Sequence, residues 1–376
     1  MKRFVFAFLI SLLLLSACVP QNNSPAAPSE PSIPTATNSP SITLIDALGR
    51  EVTLSNPPRR IVITGKALIM VVDAVYMFPE APERIAALGN AGQGTSNFIS
   101  LIDPSYPAKA TLQQDAGAEQ IAAAQPDLVI LKSSLAETLG KSLEVIKIPV
   151  VYVDFETPAQ YERDLAILGK VFQNEALAQQ IAAYYQNKVT QIQNALKEEA
   201  PGTLGVKDKP RVLMLYYTDK DGAVAFNVPP MAWMQTQIVQ LAGGEPVWSA
   251  ANPANGWTKV TLEQIAAWDA DQIFIITYNK NPSEVVASLK TDPQWQSLRA
   301  TQQSHLFAFP GDLYSWDQPD ARWILGLSWL AARLHPDRFP QLDIVQEAEQ
   351  FYQTLYGLDA QFFESKIHPT FKGDLP

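Results

Sequence analysis

The side chains that could do chemistry in this sequence are badly placed for catalysis and better placed for holding a ligand. Its three histidines are scattered: His305 opens a strand-like run, His335 precedes Pro336 after a helical stretch, and His368 lies near the C-terminus. Its one cysteine is Cys18. No G-x-S-x-G elbow, H-E-x-x-H pair or phosphate-cradling P-loop occurs. A nucleophile–base pair is hard to assemble from this set, and a bare Zn²⁺ or Mn²⁺ site built from several imidazoles is not expected. What the chain does offer is aromatic and lysine side chains in short polar loops. They are Lys66, Lys132, Tyr217, Trp233, Trp257, Tyr278 and Lys280, then Tyr314 and Trp316 in "PGDLYSWDQPD" (310–320), with Gln93 in "GNAGQGTSN" (89–97). Indole and phenol rings stack on conjugated or macrocyclic ligands. Three converging lysines would suit an anion, although lysines are usually solvated surface. Tyr217, Tyr278 and Tyr314 are the axial candidates should the ligand be haem. The spacing G-x-x-G-x-G in "GNAGQGTSN" is not a dinucleotide fingerprint. Asp317 or Asp320 would equally serve as helix caps ahead of 319–334, where Pro319 suits the first helical position.

These loops need a scaffold that brings them together, and the periodicity supplies one. Alternating apolar residues flank Asp46–Gly49 and predict a hairpin. Strand-like runs follow at Ile61–Thr64, Ile85–Leu88, Leu128–Leu131 and Val150–Val153, then at Val212–Tyr216, Ala223–Phe226, Gln272–Thr277 and Leu306–Phe309. Helical stretches separate most of them, at 231–242, 262–267, 284–298, 319–334 and 343–356 in the second half. Two β-α series of this kind predict two mainly parallel sheets covered by helices. In such sheets ligands bind beyond the C-terminal strand ends, where the loops above lie. Between the two series, Thr157-Pro158 opens a helix and Asn174 a second one. The second is long enough to act as a strut before Pro201-Gly202.

One unit occurs twice. Glu119-Gln120-Ile121-Ala122-Ala123 recurs as Glu263-Gln264-Ile265-Ala266-Ala267, 144 positions later (263 minus 119), and each copy runs through an Asp (Asp127, Asp271) into an apolar stretch. A glutamate in a first helical turn complements the helix dipole by about 0.3–1 kcal/mol. That would explain either copy singly, but a matched pair points to a shared partner.

The N-terminus sets the compartment. Lys2 and Arg3 precede an apolar run, Phe4–Leu15, shorter than the ~20 residues of a membrane span. It ends in Leu15-Ser16-Ala17-Cys18, which resembles a bacterial lipobox with Cys18 as the lipidated residue. Two or three acyl chains anchor a protein durably, at ~0.8 kcal/mol per buried CH₂. The stretch 19–41 is rich in Pro, Ser, Asn and Thr and predicts a disordered tether. Loss of Lys2 and Arg3 would take the net charge from −10 to −12 (−10 − 2), which argues against nucleic acid as a partner.

Together, "DALGREVTLSNPPRRIVI", "AEQIAAAQPDLVIL", "DLAILGKVFQNEALAQQIAAYYQNKVTQI" and "VTLEQIAAWDADQIFIIT" resemble, in this order, the substrate-binding lipoproteins of ABC importers for iron–siderophores, cobalamin and haem. The resemblance implies an α/β fold of two lobes joined by a single long helix, with a cleft between them; a rigid strut of this kind predicts limited lobe closure. It implies a signal peptide (1–18), tether (19–41), N-terminal lobe (42–172), connecting helix (173–202), C-terminal lobe (203–357) and tail (358–376). It also implies an extracytoplasmic, lipid-anchored monomer that is not an enzyme and has no cofactor of its own. Its ligand would be a metal chelate or, alternatively, an oxyanion such as molybdate or tungstate; an extracytoplasmic enzyme is the remaining reading. Its partners would be an ABC permease with its ATPase, met through Glu119 and Glu263.

Overall fold

The computed structural model describes residues 41–90, 97–197, 209–252 and 256–375. Cys18, the segments 1–18 and 19–40, and Gln93 lie outside the described residues.

The hairpin pairs β1 (Ile42–Ile45) antiparallel with β2 (Glu51–Leu54). Asp46 builds its turn by accepting from Leu48 N and Arg50 N at 3.0 and 3.1 Å, and Gly49 takes φ +76°, which a side chain would resist.

The first sheet contains β3 (Ile61–Ile63), β4 (Ile85–Gly89), β5 (Ala110–Leu112), β6 (Leu128–Lys132) and β7 (Val150–Val153). Their order is β5-β4-β3-β6-β7, all parallel. β3, β6 and β7 are buried at every position, which is why they are unbroken apolar runs rather than alternating ones.

The second sheet contains β8 (Arg211–Thr218), β9 (Ala225–Val228), β10 (Glu245–Pro246), β11 (Thr258–Val260), β12 (Gln272–Ile276) and β13 (Leu306–Ala308). Its order is β11-β9-β8-β12-β13, with β10 also on β8. β8, β10, β12 and β13 run parallel, whereas β9 returns antiparallel to β8 and β11 antiparallel to β9. The expectation of another β-α step at Ala223–Phe226 is therefore corrected: the link after β8 is far shorter than a parallel crossover needs.

Between the sheets run the helices Pro158–Phe172 and Glu175–Lys197. Thr157 caps the first, accepting from Gln160 N at 3.2 Å, with Pro158 behind it. Asn174 accepts from Leu177 N at 3.3 Å at the start of the second, which at 23 residues is about 35 Å long. A Cβ on Gly169 would meet Ala178 Cβ at 2.6 Å, so the glycine is what lets these two helices approach. One apolar core runs continuously from the first sheet across these helices to the second, and a smaller separate cluster, with Val62, Val129 and Leu131, lies on the first sheet.

The tail is fixed to the second sheet. Asp374 accepts from Ala308 N at 2.9 Å, and its carbonyl accepts from Trp329 Nε1 at 3.0 Å. Lys372 bridges Gly311.

Candidate functional site

The repeated unit folds the same way twice, down to individual hydrogen bonds. In the helix Ala118–Ala123, Gln120 Oε1 accepts from Gly117 N at 3.0 Å; in Leu262–Trp268, Gln264 Oε1 accepts from Thr261 N at 2.9 Å. Asp127 then accepts from Arg60 N at 2.9 Å, and Asp271 from Arg211 N at 2.8 Å. The same arginines reach back to cap the helix C-terminus: Arg60 Nη2 donates to Ala124 O at 2.6 Å and Arg211 Nη2 to Trp268 O at 2.7 Å. Each unit is thus clamped to the first strand of its own sheet. A helix feeding a parallel strand runs back against it, so its N-terminus stands at the C-terminal edge of the sheet. Glu119 and Glu263 are both exposed there, in the first turns. Hydrogen bonds from its own backbone N–H and from the Thr261 hydroxyl hold the Glu263 carboxyl below its usual range.

At that edge a cleft of about 230 Å³ opens between the lobes. Ala67, Met70 and Glu156 line it from the first lobe; Trp233, Gln235, Trp257, Tyr278, Gln318 and Pro319 line it from the second. The rings form one cluster. Trp233 meets Trp257 edge-on at 5.6 Å, Trp257 tilts over Tyr216 at 5.0 Å, and Tyr216 stacks on Tyr278 at 4.7 Å. Beneath them lies the buried carboxylate of Asp317, which accepts from Ser315 Oγ at 2.5 Å, Tyr278 Oη at 2.8 Å and Gln235 Nε2 at 3.2 Å. Burial pushes Asp317 up to about 6 against the pull of these donors, and raises the Tyr278 hydroxyl too.

Below the cleft the lobes are joined by a buried guanidinium. Arg322 is fully buried and pairs with Asp73 at 2.5 Å from the helix Leu68–Val75, with Asp312 at 2.9 Å and with Asp320 at 3.5 Å. Its guanidinium carbon lies 4.6 Å from the Phe98 ring centroid and 5.0 Å from that of Tyr314. Burial raises Asp73 to about 6 despite Arg322, and raises Asp320 as well.

These shifts have a testable sign. Asp73 and Asp317 bind protons more tightly folded than unfolded, where a carboxyl titrates near ~3.9. The stability they contribute is therefore fully present below the unfolded value and is lost as pH rises through about 6. The melting temperature is expected to be higher at pH 5 than at pH 8, and Asp317→Asn should flatten part of that slope in a calorimetric pH series. A melting temperature that rises from pH 5 to pH 8 would contradict it.

The candidate residues are distributed unevenly. Trp233, Trp257 and Tyr278 come together in the cleft. Lys66 is exposed beside Ala67. Lys132 is buried with its ammonium taken by Glu156 and 3.4 Å from Met70 Sδ, so it is not open to an anion. Lys280 is at the surface, paired with Asp219. Tyr217 turns away from Tyr216 and packs on Phe226 at 5.7 Å, because neighbours on a strand face opposite sides. Tyr314 and Trp316 are buried in the core, the latter donating from Nε1 to Asp312 at 3.1 Å, and neither lines the cleft. The helix expected from 319 begins at Trp323, and Asp317 and Asp320 serve the buried networks instead of a cap. Met70, Glu156, Tyr216, Gln235 and Gln318 carry no motif. Only Tyr216, next to Tyr217, was within reach of a face-by-face reading of β8.

Two lobes, a helical strut and an aromatic cleft at the facing strand ends define a two-lobed solute-binding protein. The family described as periplasmic binding protein matches residues 85–313, and the chain belongs to it. Membership places the protein outside the cytoplasm, in a family of substrate-binding proteins. The chain is 24% identical to the molybdate-binding protein MolA of Haemophilus influenzae over 63% of this chain and 69% of that one. It is 23% identical to the iron-uptake system-binding protein of Bacillus subtilis, over 82% of this chain and 90% of that one. In fold it is similar to a periplasmic solute binding protein of Veillonella parvula, with TM-score 0.66 at 21% identity, covering 85% and 94% of the two chains.

Proposed function

We propose that this protein is the substrate-binding component of an ABC importer. It captures a metal chelate of the siderophore, cobalamin or haem type between its lobes and delivers it to a permease through Glu119 and Glu263. The observation that carries the reading is the ring cluster Trp233, Trp257 and Tyr278 at the mouth between the lobes, with the duplicated glutamates exposed in the first turns of matched helices, one per lobe. The rings offer flat faces to a conjugated or chelated ligand, and exposed rim charges set orientation and docking rate. The relatives for iron uptake and molybdate binding are consistent with metal-bearing cargo. Cys18 carries the lipid anchor, and the segment 19–41 tethers the body to the membrane.

Tryptophan fluorescence and melting temperature, followed while the purified protein is titrated with ferric chelates and corrinoids, test the reading. One stoichiometric, saturable transition with the chelate recovered intact is expected. Turnover of the added compound, or no response to any chelate, would overturn it. Mass spectrometry of protein taken from its own membranes should show a diacylated Cys18; an unmodified thiol there would remove the anchor.

A further inference from the structure

Building on that function, the cleft also states the charge of its cargo. Of its lining side chains Glu156 is acidic and, among the described residues, none is cationic. Asp317 lies directly beneath, in contact with Tyr278 and Gln235. The nearest buried cation, Lys132, is neutralised by Glu156, and Arg322 by Asp73, Asp312 and Asp320. Lys280, two residues beyond Tyr278, is paired with Asp219 at the surface, and Lys66 lies on an exposed loop beside Ala67.

The floor also shows a hydrogen-bonding preference. Gln235 is buried, and its Nε2 is committed to Asp317 at 3.2 Å and to Tyr278 Oη at 3.4 Å. An acceptor on both sides fixes the amide so that Oε1 is the free end, and that oxygen is buried without a partner. A buried carbonyl left empty is costly, so the site is completed by a donor.

We infer that the cleft selects a neutral or cationic chelate that presents an N–H or O–H donor to Gln235 Oε1 while lying against Trp233, Trp257 and Tyr278, and that it rejects polyanionic chelates and oxyanions. Rejection follows because Glu156 and Lys132 cancel as a pair, the lining holds no free cation among the described residues, and the buried Asp317 carboxylate lies beneath; an anion uncompensated there binds about a hundredfold more weakly. This inference rests on the carrier reading above, and the test separates the two.

The full-length protein is titrated in parallel with a neutral ferric trihydroxamate, cyanocobalamin, a trianionic ferric tris-catecholate and molybdate, at low and at high salt. At least one of the first two is expected to bind about tenfold or more tighter than either anion, with an affinity little changed by salt. Gln235→Met should weaken that ligand about tenfold, by removing the acceptor while keeping the volume. Equal or tighter binding of the catecholate or of molybdate, weakening with salt, overturns the charge assignment and leaves the carrier intact. No binding of any of the four by a folded protein overturns the carrier reading instead. A full-affinity Gln235→Met variant overturns the donor assignment.

Discussion

Arg322→Leu is expected to lower the melting temperature by roughly 5 °C at pH 8. Removing one partner of a buried ion pair costs about 3–5 kcal/mol, because the remaining charge stays buried and uncompensated. Here three carboxylates, Asp73, Asp312 and Asp320, depend on one guanidinium. At ~2.1 cal/mol/K of unfolding entropy per residue, a body of this size converts each kcal/mol into about 1.5 °C. The loss should shrink at pH 5, since Asp73 and Asp320, already raised by burial, then go uncharged instead of facing one another as anions. Arg322→Lys should fall between leucine and the parent, because a point charge cannot reproduce a fork that reaches carboxylates from both lobes. Calorimetry at the two pH values decides the matter. A leucine variant that melts with the parent at pH 8 would mean the cluster is not what joins the lobes.

Reversing both rim charges, Glu119→Arg with Glu263→Arg, is expected to cut uptake by the reconstituted importer by about two orders of magnitude while ligand affinity stays unchanged. Like charges juxtaposed at an interface cost several kcal/mol, and either single reversal should give an intermediate loss. The folded body should tolerate the change. Both glutamates are exposed, neither forms an ion pair among the described residues, and a cation in a first helical turn costs about 0.3–1 kcal/mol. Uptake that survives the double reversal, in a variant that still binds its ligand, would remove these two residues from the docking surface.

The parts of this molecule legible in its sequence are those whose local pattern and tertiary role agree. The hairpin turn at Asp46–Gly49, the Thr157-Pro158 helix start and the apolar runs Leu128–Lys132 and Val150–Val153 all signal one conformation. The two Glu-Gln-Ile-Ala-Ala helices were recognisable as equivalent because the same capping and clamping chemistry needs the same residue types. The cleft was harder. Which of Tyr216 and Tyr217 faces it depends on β8 continuing straight into an antiparallel turn, which no residue of β8 announces. The run 310–320 looked like a ligand loop because it is polar and aromatic, yet those properties serve a buried Arg322 in the second lobe whose partner Asp73 lies 249 positions earlier in the chain. Charge burial at that distance leaves no periodic trace. The pairing of Lys132 is hidden for the same reason: its partner Glu156 is 24 residues on, in the loop after β7.

Each rim glutamate is bolted to its own sheet by an Arg–Asp clamp, and the sheets are pinned to each other below the cleft. The spacing of the two carboxylates is therefore a property of the frame and not of the cargo. A transporter that gripped the protein through these two points alone could not tell a loaded carrier from an empty one. Empty copies would then compete for the same berth, and the ratio of carriers to transporters in the membrane, rather than affinity for the cargo alone, would set the ceiling on uptake.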